Sequence, residues 1–415
     1  MDKKNIVVVG GGPAGMMAAI RAGQLGNKVT LLEKNTGLGR KLLLSGKGRC
    51  NLTNACGQDS FLIRFGKNGQ FLRDAFKNFF NLELMDFFEK RGLALKVERQ
   101  LRVFPVSNTS SSILDVLKRE LAKNKIEVLY KKEIEAIVAQ GKRIKGGFLK
   151  GGGFLECERL ILATGGASYG FTGSTGEAFD MVKKTGHHIV PLRPGLVPLE
   201  TKERYPALLE GLTIKNMRLK FTDGKKQILS EIGELLFTRS GISGPLVLSL
   251  SGKISDWLNE HKKVYAEIDL KPALSLEKIE DRLIREFRAN PGKIIKNTLK
   301  ELLPQRMVDL FIKLARVPED KNVSQITQQE RKALANLFKA MRLEIKRTMP
   351  IKEAMVTKGG VSLKDIDPRT MESRIIKGLY FAGEMIDVDA DTGGFNLQAA
   401  FSTGYLAGES ASASF

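Results

Sequence analysis

Three glycines near the start of the chain, Gly10, Gly12 and Gly15, have the spacing of a turn that holds phosphate groups. They follow the β-branched run NIVVV at 5–9, which predicts a buried strand, and they overlap a helical pattern that begins at Pro13. Gly10 permits the tight turn, Gly12 lets the backbone approach a pyrophosphate, and Gly15 lets the helix pack against the strand. Because the helix N-terminus then faces the phosphate charge, the segment predicts a nucleotide site.

The acid at position 33 narrows the choice of nucleotide. Glu33 ends a second predicted strand, residues 28–32, and lies 18 residues after Gly15. An acid at this place accepts hydrogen bonds from a ribose diol and disfavours a 2′-phosphate, so FAD or NAD is expected rather than NADP. The strand–helix–strand order predicts an α/β fold with a parallel, doubly wound sheet.

Two later segments favour FAD. LILATGG at 160–166 predicts a buried strand that delivers small residues to the nucleotide crevice. The run at 379–404 predicts a strand that ends at Gly383 and Glu384, followed by glycines and a helix. In flavoproteins with this order, Glu384 or Asp387 would bind the ribityl hydroxyls, and the helix N-terminus near 396–398 would stabilise negative charge on the reduced ring. We therefore predict one FAD, bound non-covalently.

The net charge of +21 raises the question of a nucleic-acid partner. Basic residues exceed acidic ones by 14 in residues 1–190 and by 10 in 191–349, whereas acidic residues exceed basic ones by 3 in 350–415. The lysines are interleaved with glutamates and apolar residues, and no basic arm is present. A solvated basic surface is therefore the favoured interpretation, and a polyanion partner is the alternative that the charge leaves open.

Composition points away from several other classes. Three cysteines make no disulfide framework, and three histidines without a CxxC or HxxxH spacing give no metal site. No segment approaches the roughly 20 apolar residues of a membrane helix, and residues 1–35 lack a signal-peptide pattern. We predict a cytoplasmic protein with no membrane contact and no bound metal.

The sequence pattern predicts a discontinuous division of the chain. Residues 1–190 and 350–415 carry the strand–turn–helix patterns of the nucleotide domain. Residues 191–274 alternate like short antiparallel strands after the turn-rich link PLRPGLVPL, and 275–349 are helical and charged. We predict a split FAD-binding domain, an inserted β-rich domain and a nested helical subdomain, with 350–361 as a candidate closing strand of the insert.

Four motifs together resemble a known family. GRKLLLSGKGRCNLTN at 39–54, GELLFTRSGISGP at 233–245, TKGGV at 357–361 and the run 383–404 are similar to the HI0933-like (YhiN) flavoproteins, whose relatives include BaiN-type reductases and aminoacetone oxidases. The resemblance covers essentially the whole chain. It implies that a β-barrel-like domain carrying a helical subdomain is inserted into a two-dinucleotide-type FAD-binding domain.

The resemblance also extends the set of expected cofactor contacts. It places Arg40 and Lys41 at the FAD phosphates, the loop 45–51 at the flavin, and the backbone of Ile134 at the adenine. The predicted FAD-binding residues are Gly10, Gly12, Pro13, Ala14, Gly15, Glu33, Lys34, Arg40, Lys41, Ser45, Gly46, Gly48, Arg49, Cys50, Asn51, Ile134, Ala163, Thr164, Gly165, Gly383, Glu384, Asp387, Gly394, Asn396, Leu397 and Gln398.

The redox partner and the substrate are less well defined by the sequence. Five residues separate Cys50 from Cys56, whereas disulfide reductases of related fold place their two cysteines four apart on a helix, so a packed or flavin-adjacent thiol is favoured over a redox pair. No second dinucleotide fingerprint is present, so NAD(P)H would dock transiently. Tyr169, Arg239 and Phe395 are candidates to line the substrate cleft, although a structural role is favoured for each. The sequence identifies no general acid or base.

Three functional hypotheses follow. The first is an FAD-dependent oxidoreductase that transfers hydride between the flavin and a small organic substrate, with NAD(P)H as donor or dioxygen as acceptor. The second is a flavin-dependent enzyme that modifies nucleic acid such as tRNA, which the charge favours. The third is a flavin-binding sensor or scaffold without turnover.

Overall fold

The computed structural model describes residues 3–260 and 262–413, and the chain divides into two compact units. Unit 1 comprises the chain up to Gly195 and again from Ala354 onward, and unit 2 comprises Leu196–Glu353. Unit 2 is therefore an insertion in the sequence of unit 1.

The first part of unit 1 contains both strands and helices. Up to Gly195 they are β1 (Asn5–Val9), α1 (Pro13–Gln24), β2 (Lys28–Glu33), α2 (Arg40–Leu44), β3 (Thr53–Asn54), α3 (Gln58–Ile63), α4 (Arg73–Asn78), α5 (Asn81–Glu89), β4 (Leu95–Val97), β5 (Arg102–Pro105), α6 (Ser110–Lys123), β6 (Glu127–Tyr130), β7 (Ile134–Gln140), β8 (Arg143–Leu149), β9 (Phe154–Glu156), β10 (Arg159–Leu162), α7 (Glu177–Lys184) and β11 (Ile189–Gly195). Unit 2 contains β12 (Leu199–Thr201), β13 (Thr213–Thr222), β14 (Gln227–Leu229), β15 (Gly233–Thr238), β16 (Gly241–Ser243), α8 (Pro245–Asn259), β17 (Val264–Asp269), α9 (Leu276–Ala289), α10 (Ile295–Leu299), α11 (Gln305–Ala315), α12 (Gln328–Ala340) and β18 (Met341–Thr348). The chain returns to unit 1 with β19 (Val356–Val361), β20 (Leu379–Phe381) and α13 (Phe395–Ser412).

The core of unit 1 is a five-stranded parallel sheet in the order β20-β10-β1-β2-β6. Its central strand is almost entirely buried, as expected for a β-branched run covered on both faces. Helices α1 and α13 pack closely, and glycines at the contact make this possible. A Cβ on Gly404 or Gly408 would collide with the backbone carbonyl oxygen of Ala14 or Ala18, respectively. This close packing brings the N-terminal part of α13 and the turn after β1 into one region of unit 1.

Besides the antiparallel pair β11–β19, unit 1 contains two three-stranded antiparallel sheets. Strands β3, β5 and β4 form one of them and support the segment that follows α2. Strands β7, β8 and β9 form the other. Ile134 and Ile144 of this second sheet belong to the buried core of unit 1, so one of its faces is covered.

Unit 2 is built on a closed antiparallel barrel. Six strands pair in the cycle β13-β15-β16-β12-β18-β17 and back to β13, and β14 extends β13. Met217, Leu219 and Phe221 alternate along β13 and are fully buried, which is the pattern of a strand with a single core-facing side. The predicted fold class, an α/β Rossmann-like domain with an inserted barrel that carries helices, is confirmed.

The strand that closes the barrel is not the one we expected. Met341–Thr348 closes it, whereas Val356–Val361, within the candidate segment 350–361, pairs with β11 in unit 1. The physical reason is the alternation in MRLEIKRT, which buries Met341, Leu343 and Ile345 on the barrel side. The helical segment correspondingly ends at Ala340 and does not continue to 349. Among the described residues, no helix is long and apolar enough to cross a bilayer.

Candidate functional site

The fingerprint glycines in the turn between β1 and α1 differ in the space around them. A Cβ on Gly10 would collide with the carbonyl of Ala163, and a Cβ on Gly15 would collide with the carbonyl of Gly10. A Cβ on Gly12 would meet nothing within 4 Å, and Gly12 is the N-cap of α1, directly before Pro13. The two outer glycines are therefore required by packing, while the middle one leaves open space at the helix N-terminus, where a pyrophosphate fits.

Glu33 lies directly beside this turn. Its carboxylate is buried, with Oε2 accepting the Gly11 N–H at 2.9 Å and Oε1 accepting the backbone N–H and side-chain Nδ2 of Asn35 at 2.8 and 2.7 Å. Each carboxylate oxygen has two acceptor sites, so Oε2 retains capacity for a ribose hydroxyl. The fixed position of the carboxylate agrees with the predicted role at the ribose.

Arg40, predicted to bind the FAD phosphates, and Lys34, also predicted to bind FAD, both make hydrogen bonds to protein groups. Arg40 is exposed and donates to Asn35 Oδ1 at 2.7 Å. Lys34 donates to Thr175 Oγ1 at 3.0 Å and faces the carboxylates of Glu133 and Glu177. Lys34 is therefore engaged with neighbouring protein groups.

Ile134 lies next to the strand that carries Glu33. Ile134 begins β7, two residues after Lys132, whose N–H donates to the Glu33 carbonyl at 3.1 Å. Ile134 therefore lies near the residue that is predicted to bind the ribose.

Lys41 and Glu384 belong to separate sequence motifs, and the structure joins them. Lys41 Nζ donates to Glu384 Oε2 at 2.6 Å and to Ser168 Oγ at 2.7 Å. Glu384 Oε1 accepts the Ser168 hydroxyl at 2.9 Å and the Thr357 N–H at 2.7 Å. The two charged side chains are only about a fifth to a quarter exposed. We call these four residues the Lys41–Glu384 cluster.

Two members of the cluster, Ser168 and Thr357, are not predicted by the sequence. Thr357 Oγ1 accepts the N–H groups of Ala167 and Ser168 at 2.8 and 3.1 Å, and it leaves no space for a side chain at Gly166. The segment TKGGV is a motif of the family, but the motif alone indicates no role for its threonine. In the structure this threonine holds the loop after β10 against Glu384.

Strands β10 and β20 end beside the phosphate turn. Ala163 donates its N–H to the Val9 carbonyl at 2.9 Å, and Thr164 Oγ1 donates to Met385 Sδ at 3.3 Å. Gly165 has a positive φ of 77°, and a Cβ there would lie 3.0 Å from Ser174 Oγ. Gly383 has a φ of 72°, and a Cβ there would press on the side chain of Ala14. These predicted residues thus converge on the N-terminus of α1.

The N-terminus of α13 is supported by the glycine-rich loop from the first half of the chain. With its amide oxygen directed at the helix, Asn51 accepts the Gly394 N–H at 3.0 Å and donates to the carbonyls of Thr53 and Val103. A Cβ on Gly394 would collide with the Thr53 carbonyl. The loop 45–54 and the start of α13 therefore lie in contact with each other.

The backbone N–H groups of α13 that have no acceptor within the helix lie one residue earlier than we expected. Gln398 donates its N–H to the Gly394 carbonyl at 3.1 Å, and its fully buried side chain bonds to Thr53 and Ser402. The helix N–H groups without an intrahelical acceptor are then those of residues 395–397. Gln398 supports the loop from inside the core and offers no group to a ligand.

Asn396 and Asp387 serve the loop between β20 and α13. The Asn396 side chain exchanges hydrogen bonds with the backbone of Ala390, at 2.9 and 2.8 Å. Asp387 accepts from Asn68 Nδ2 at 3.2 Å, and burial raises the pKa of its carboxyl. Of the two acids considered for the ribityl chain, Glu384 is the one that lies in the Lys41–Glu384 cluster, and Asp387 is not part of that cluster. Leu397, which follows Asn396, can offer only its backbone N–H group to a ligand.

The loop 45–50 has a strained backbone. Gly46, Lys47 and Cys50 have φ of 57°, 58° and 58°, and Gly48 has 84°. The Ser45 hydroxyl donates to the Leu42 carbonyl at 2.7 Å. A non-glycine residue with a positive φ costs conformational energy that the surrounding structure must offset. Such residues are frequent at ligand sites.

The cysteines in and after this loop do not have the properties of a redox pair. Cys50 is fully buried, and burial raises the pKa of its thiol to about 12. Burial also raises the pKa of the Cys56 thiol. A thiol that stays protonated is a poor nucleophile, so Cys50 acts as a packed side chain. Arg49 belongs to the same loop, and its guanidinium group stacks on the Phe104 ring at 4.2 Å.

The three residues considered for a substrate cleft have different local surroundings. Phe395 is buried against Phe61, with ring centroids 4.7 Å apart, so its side chain belongs to the core. Arg239 lies in an exposed turn of unit 2 between β15 and β16. Tyr169 lies in unit 1 next to Ser168, has a φ of 51°, and burial raises the pKa of its phenol. Only Tyr169 is adjacent in sequence to the Lys41–Glu384 cluster.

Known proteins are similar to this chain over nearly its whole length. The model of the HI0933-like protein Rossmann domain matches residues 4–410. A 3-dehydro-bile acid delta(4,6)-reductase from Clostridium scindens is 30% identical over 410 residues, 98% of this chain and 98% of that protein. A ribosomal RNA dihydrouridine synthase from Escherichia coli is 31% identical over 407 residues, 98% of this chain and 97% of that protein.

Solved structures share the fold at low identity. A 3-ketosteroid delta1-dehydrogenase from Sterolibacterium denitrificans aligns with a TM-score of 0.54 and 13% identity, covering 99% of this chain and 100% of that one. A 3-ketosteroid-delta4-(5alpha)-dehydrogenase from Rhodococcus jostii RHA1 aligns with a TM-score of 0.52 and 15% identity, covering 99% and 97%. These similarities show a common fold.

Proposed function

The chain belongs to the HI0933-like family and is an FAD-dependent oxidoreductase, and on that premise we propose that it reduces a carbon–carbon double bond conjugated to a carbonyl group, with NAD(P)H as electron donor. One observation carries this proposal. Two relatives matched over nearly their whole length are named as a 3-dehydro-bile acid delta(4,6)-reductase and as a ribosomal RNA dihydrouridine synthase. Both names describe hydrogen addition to an alkene beside a carbonyl.

The described residues support a non-covalent FAD site of this kind. FAD, when bound, supplies the hydride that such a reduction needs. The open space at Gly12 and the N-terminus of α1 would hold the pyrophosphate, and Glu33 would hold the ribose. Glu384, fixed by Lys41, would bind the ribityl chain. Cys50, in the predicted flavin loop, carries a buried thiol, which supports non-covalent binding.

The N-terminus of α13 would contribute electrostatic stabilisation. Its open N–H groups at 395–397 and the positive end of the helix dipole favour a negative charge near this helix end. The loop 45–54 holds the helix end through Asn51, so the donors are fixed before a ligand arrives. This arrangement would lower the energy of a reduced, anionic ring without further rearrangement of the chain.

The test is a direct measurement of reduction and turnover. The purified protein should show the absorbance bands of oxidised flavin, and anaerobic NADH or NADPH should bleach them. Adding a 3-oxo-4-ene steroid or a uridine-containing RNA should then restore the bands and yield a product heavier by two hydrogen atoms. A flavoprotein that neither nucleotide reduces, or whose reduced form is reoxidised only by dioxygen, would contradict the proposed reaction.

A second, more specific candidate is that the alkene belongs to uracil in RNA. The net charge of +21 favours it, because the phosphate backbone of RNA binds basic proteins through many weak ionic contacts. The measurement is dihydrouridine content in ribosomal RNA incubated with the enzyme and NAD(P)H, compared with turnover of the steroid. Reduction of the steroid with unmodified RNA would remove this candidate and leave the general proposal intact. A cytoplasmic location, where ribosomal RNA and NAD(P)H occur together, stays a prediction.

A further inference from the structure

One face of the β7–β8–β9 sheet is uncovered and carries aromatic side chains. Phe148 and Phe154 are cross-strand partners on β8 and β9, their rings are 5.3 Å apart, and they are 49% and 46% exposed. Tyr130, just before this sheet, is 42% exposed. Among the described residues only one other aromatic side chain, Phe171, is exposed. Exposed aromatic side chains are therefore concentrated at this sheet.

A glycine leaves room for the ring of Phe154 beside strand β8. Gly146 has a φ of 147°, and a Cβ there would come within 2.9 Å of the outer edge of the Phe154 ring. The register shifts between the pairs Val138–Gly146 and Ala139–Ile144, which leaves Lys145 as an extra, bulged residue of β8. Lys145 and Arg143 are exposed there, while Ile144 between them is buried in the core. The bulge therefore brings two cations to the solvent side together with the aromatic pair.

The sheet also carries positive charge that the protein itself does not neutralise. Five exposed basic side chains lie on β8 or in the turns before and after β7, and in the part of the chain that the structure describes none of them makes a side-chain hydrogen bond or ion pair: Lys131, Lys132, Lys142, Arg143 and Lys145. The exposed carboxylates of the sheet are fewer, namely those of Glu135 and Glu156. The carboxylate of Glu133, just before β7, is bound by Lys150 at 3.2 Å. The face thus combines unpaired positive charge with exposed rings.

We propose that this aromatic–basic face, defined by Phe148, Phe154 and the five cations, binds a single-stranded segment of RNA. This proposal rests on the second candidate of the proposed function, reduction of uracil in RNA. Half-exposed rings stack on unpaired bases without regard to sequence, and neighbouring lysine and arginine side chains neutralise the phosphates. The seven residues of β7 span roughly 20 Å, enough for a short run of nucleotides.

A second copy of the chain is a poorer occupant of this face. Two-fold pairing of identical faces would set the five unpaired cations against five more, and like charges facing each other are destabilising. The apolar centre of the face consists of two rings and the partly buried Ala136 and Val138, which is small compared with the roughly 800 Å² that each partner of a stable interface buries. Charge complementarity therefore favours a polyanion.

The test measures RNA binding separately from catalysis. A fluorescein-labelled single-stranded oligouridylate is titrated with the FAD-loaded protein, and the dissociation constant is read from anisotropy over a series of salt concentrations. The double variant Phe148→Ala/Phe154→Ala should weaken binding by about 10- to 100-fold, as expected for loss of base stacking. Phe171→Ala, which removes an exposed ring outside the sheet, is the matched control and should bind like the wild type.

A second pair of variants tests the cations. Arg143→Gln/Lys145→Gln should reduce the slope of log affinity against log salt by about 1.4, because each phosphate contact on a single strand contributes about 0.7. Lys118→Gln/Lys123→Gln on α6 changes the charge equally at exposed positions away from the sheet and should leave the slope unchanged. FAD absorbance and the melting temperature confirm that all variants are folded.

Each result distinguishes this proposal from the one it rests on. Wild-type binding that both sheet variants retain would overturn the assignment of the face and leave RNA as substrate. Absence of RNA binding by the wild type at moderate salt would remove both. A wild-type dimer that Phe148→Ala/Phe154→Ala converts to a monomer, measured by analytical ultracentrifugation, would show instead that the face joins two copies and would overturn the proposal.

Discussion

Replacement of Glu33 by glutamine should weaken FAD binding and should do so through the adenosine half of the cofactor. The carboxylate receives N–H groups on both oxygens, from Gly11 at 2.9 Å and from Asn35 at 2.8 Å. The amide of Glu33→Gln keeps one acceptor oxygen and turns an NH₂ group toward the other donor. A hydrogen bond to a charged acceptor contributes about 1.5–3 kcal/mol, so the FAD dissociation constant should rise by roughly 10- to 100-fold.

The assay is a fluorescence titration of the apoprotein with FAD and, separately, with FMN. FMN lacks the adenosine ribose, so its affinity should change little in Glu33→Gln while the preference for FAD over FMN falls. Glu89→Gln, a neutralised carboxylate on the exposed end of α5, is the control and should match the wild type. An unchanged FAD dissociation constant, or equal losses for FAD and FMN, would refute the assignment of Glu33 to the ribose.

Three further predictions concern the cluster, the thiol and the helix packing. Glu384→Gln should raise the FAD dissociation constant about fivefold, since a hydrogen bond from a ribityl hydroxyl to a charged acceptor contributes about 1 kcal/mol more than one to a neutral acceptor. Equilibrium dialysis giving an unchanged value would contradict this role. Cys50 should resist iodoacetamide in the folded protein at about pH 8.5, because its buried thiol stays protonated below a pKa of about 12. It should react after unfolding. Labelling of Cys50 in the native state, measured by mass spectrometry, would contradict its burial. Gly408→Val should lower the free energy of unfolding by about 1–3 kcal/mol or more, since its Cβ collides with the Ala18 carbonyl, and a denaturation midpoint equal to that of the wild type would contradict the packing of α1 on α13.

The parts of the site that could be predicted from sequence are those encoded in one short segment. The glycines of the first turn and Glu33 lie within 24 residues, and each owes its position to the strands and helix that flank it. Gly12 illustrates this, because the spacing alone predicts which of the three fingerprint glycines has open space beside it. The split of the nucleotide domain is also visible, since strand–turn–helix patterns return after residue 350.

The parts that could not be predicted depend on the path of the whole chain. Ser168 and Thr357 are 189 residues apart and have ordinary polar side chains, so no local pattern indicates that both will hold Glu384. Phe395 and Gln398 lie in the correct segment, but their side chains point inward. Helix α13 is buried on nearly all sides, so it has no apolar stripe from which its rotation could be deduced.

The identity of the substrate is a different kind of problem, because overall similarity does not decide it. Relatives that are 30% and 31% identical to this chain are named for a bile acid and for ribosomal RNA. A small substrate with one or two charges needs only a local cation, since charges beyond about 8 Å are screened at physiological ionic strength. An excess of 14 basic residues in 1–190 and 10 in 191–349 can act together only on a ligand long enough to contact many of them. The salt dependence of binding is therefore more informative about the substrate than a further sequence comparison, since a steep dependence requires a polyanion and a flat one excludes it.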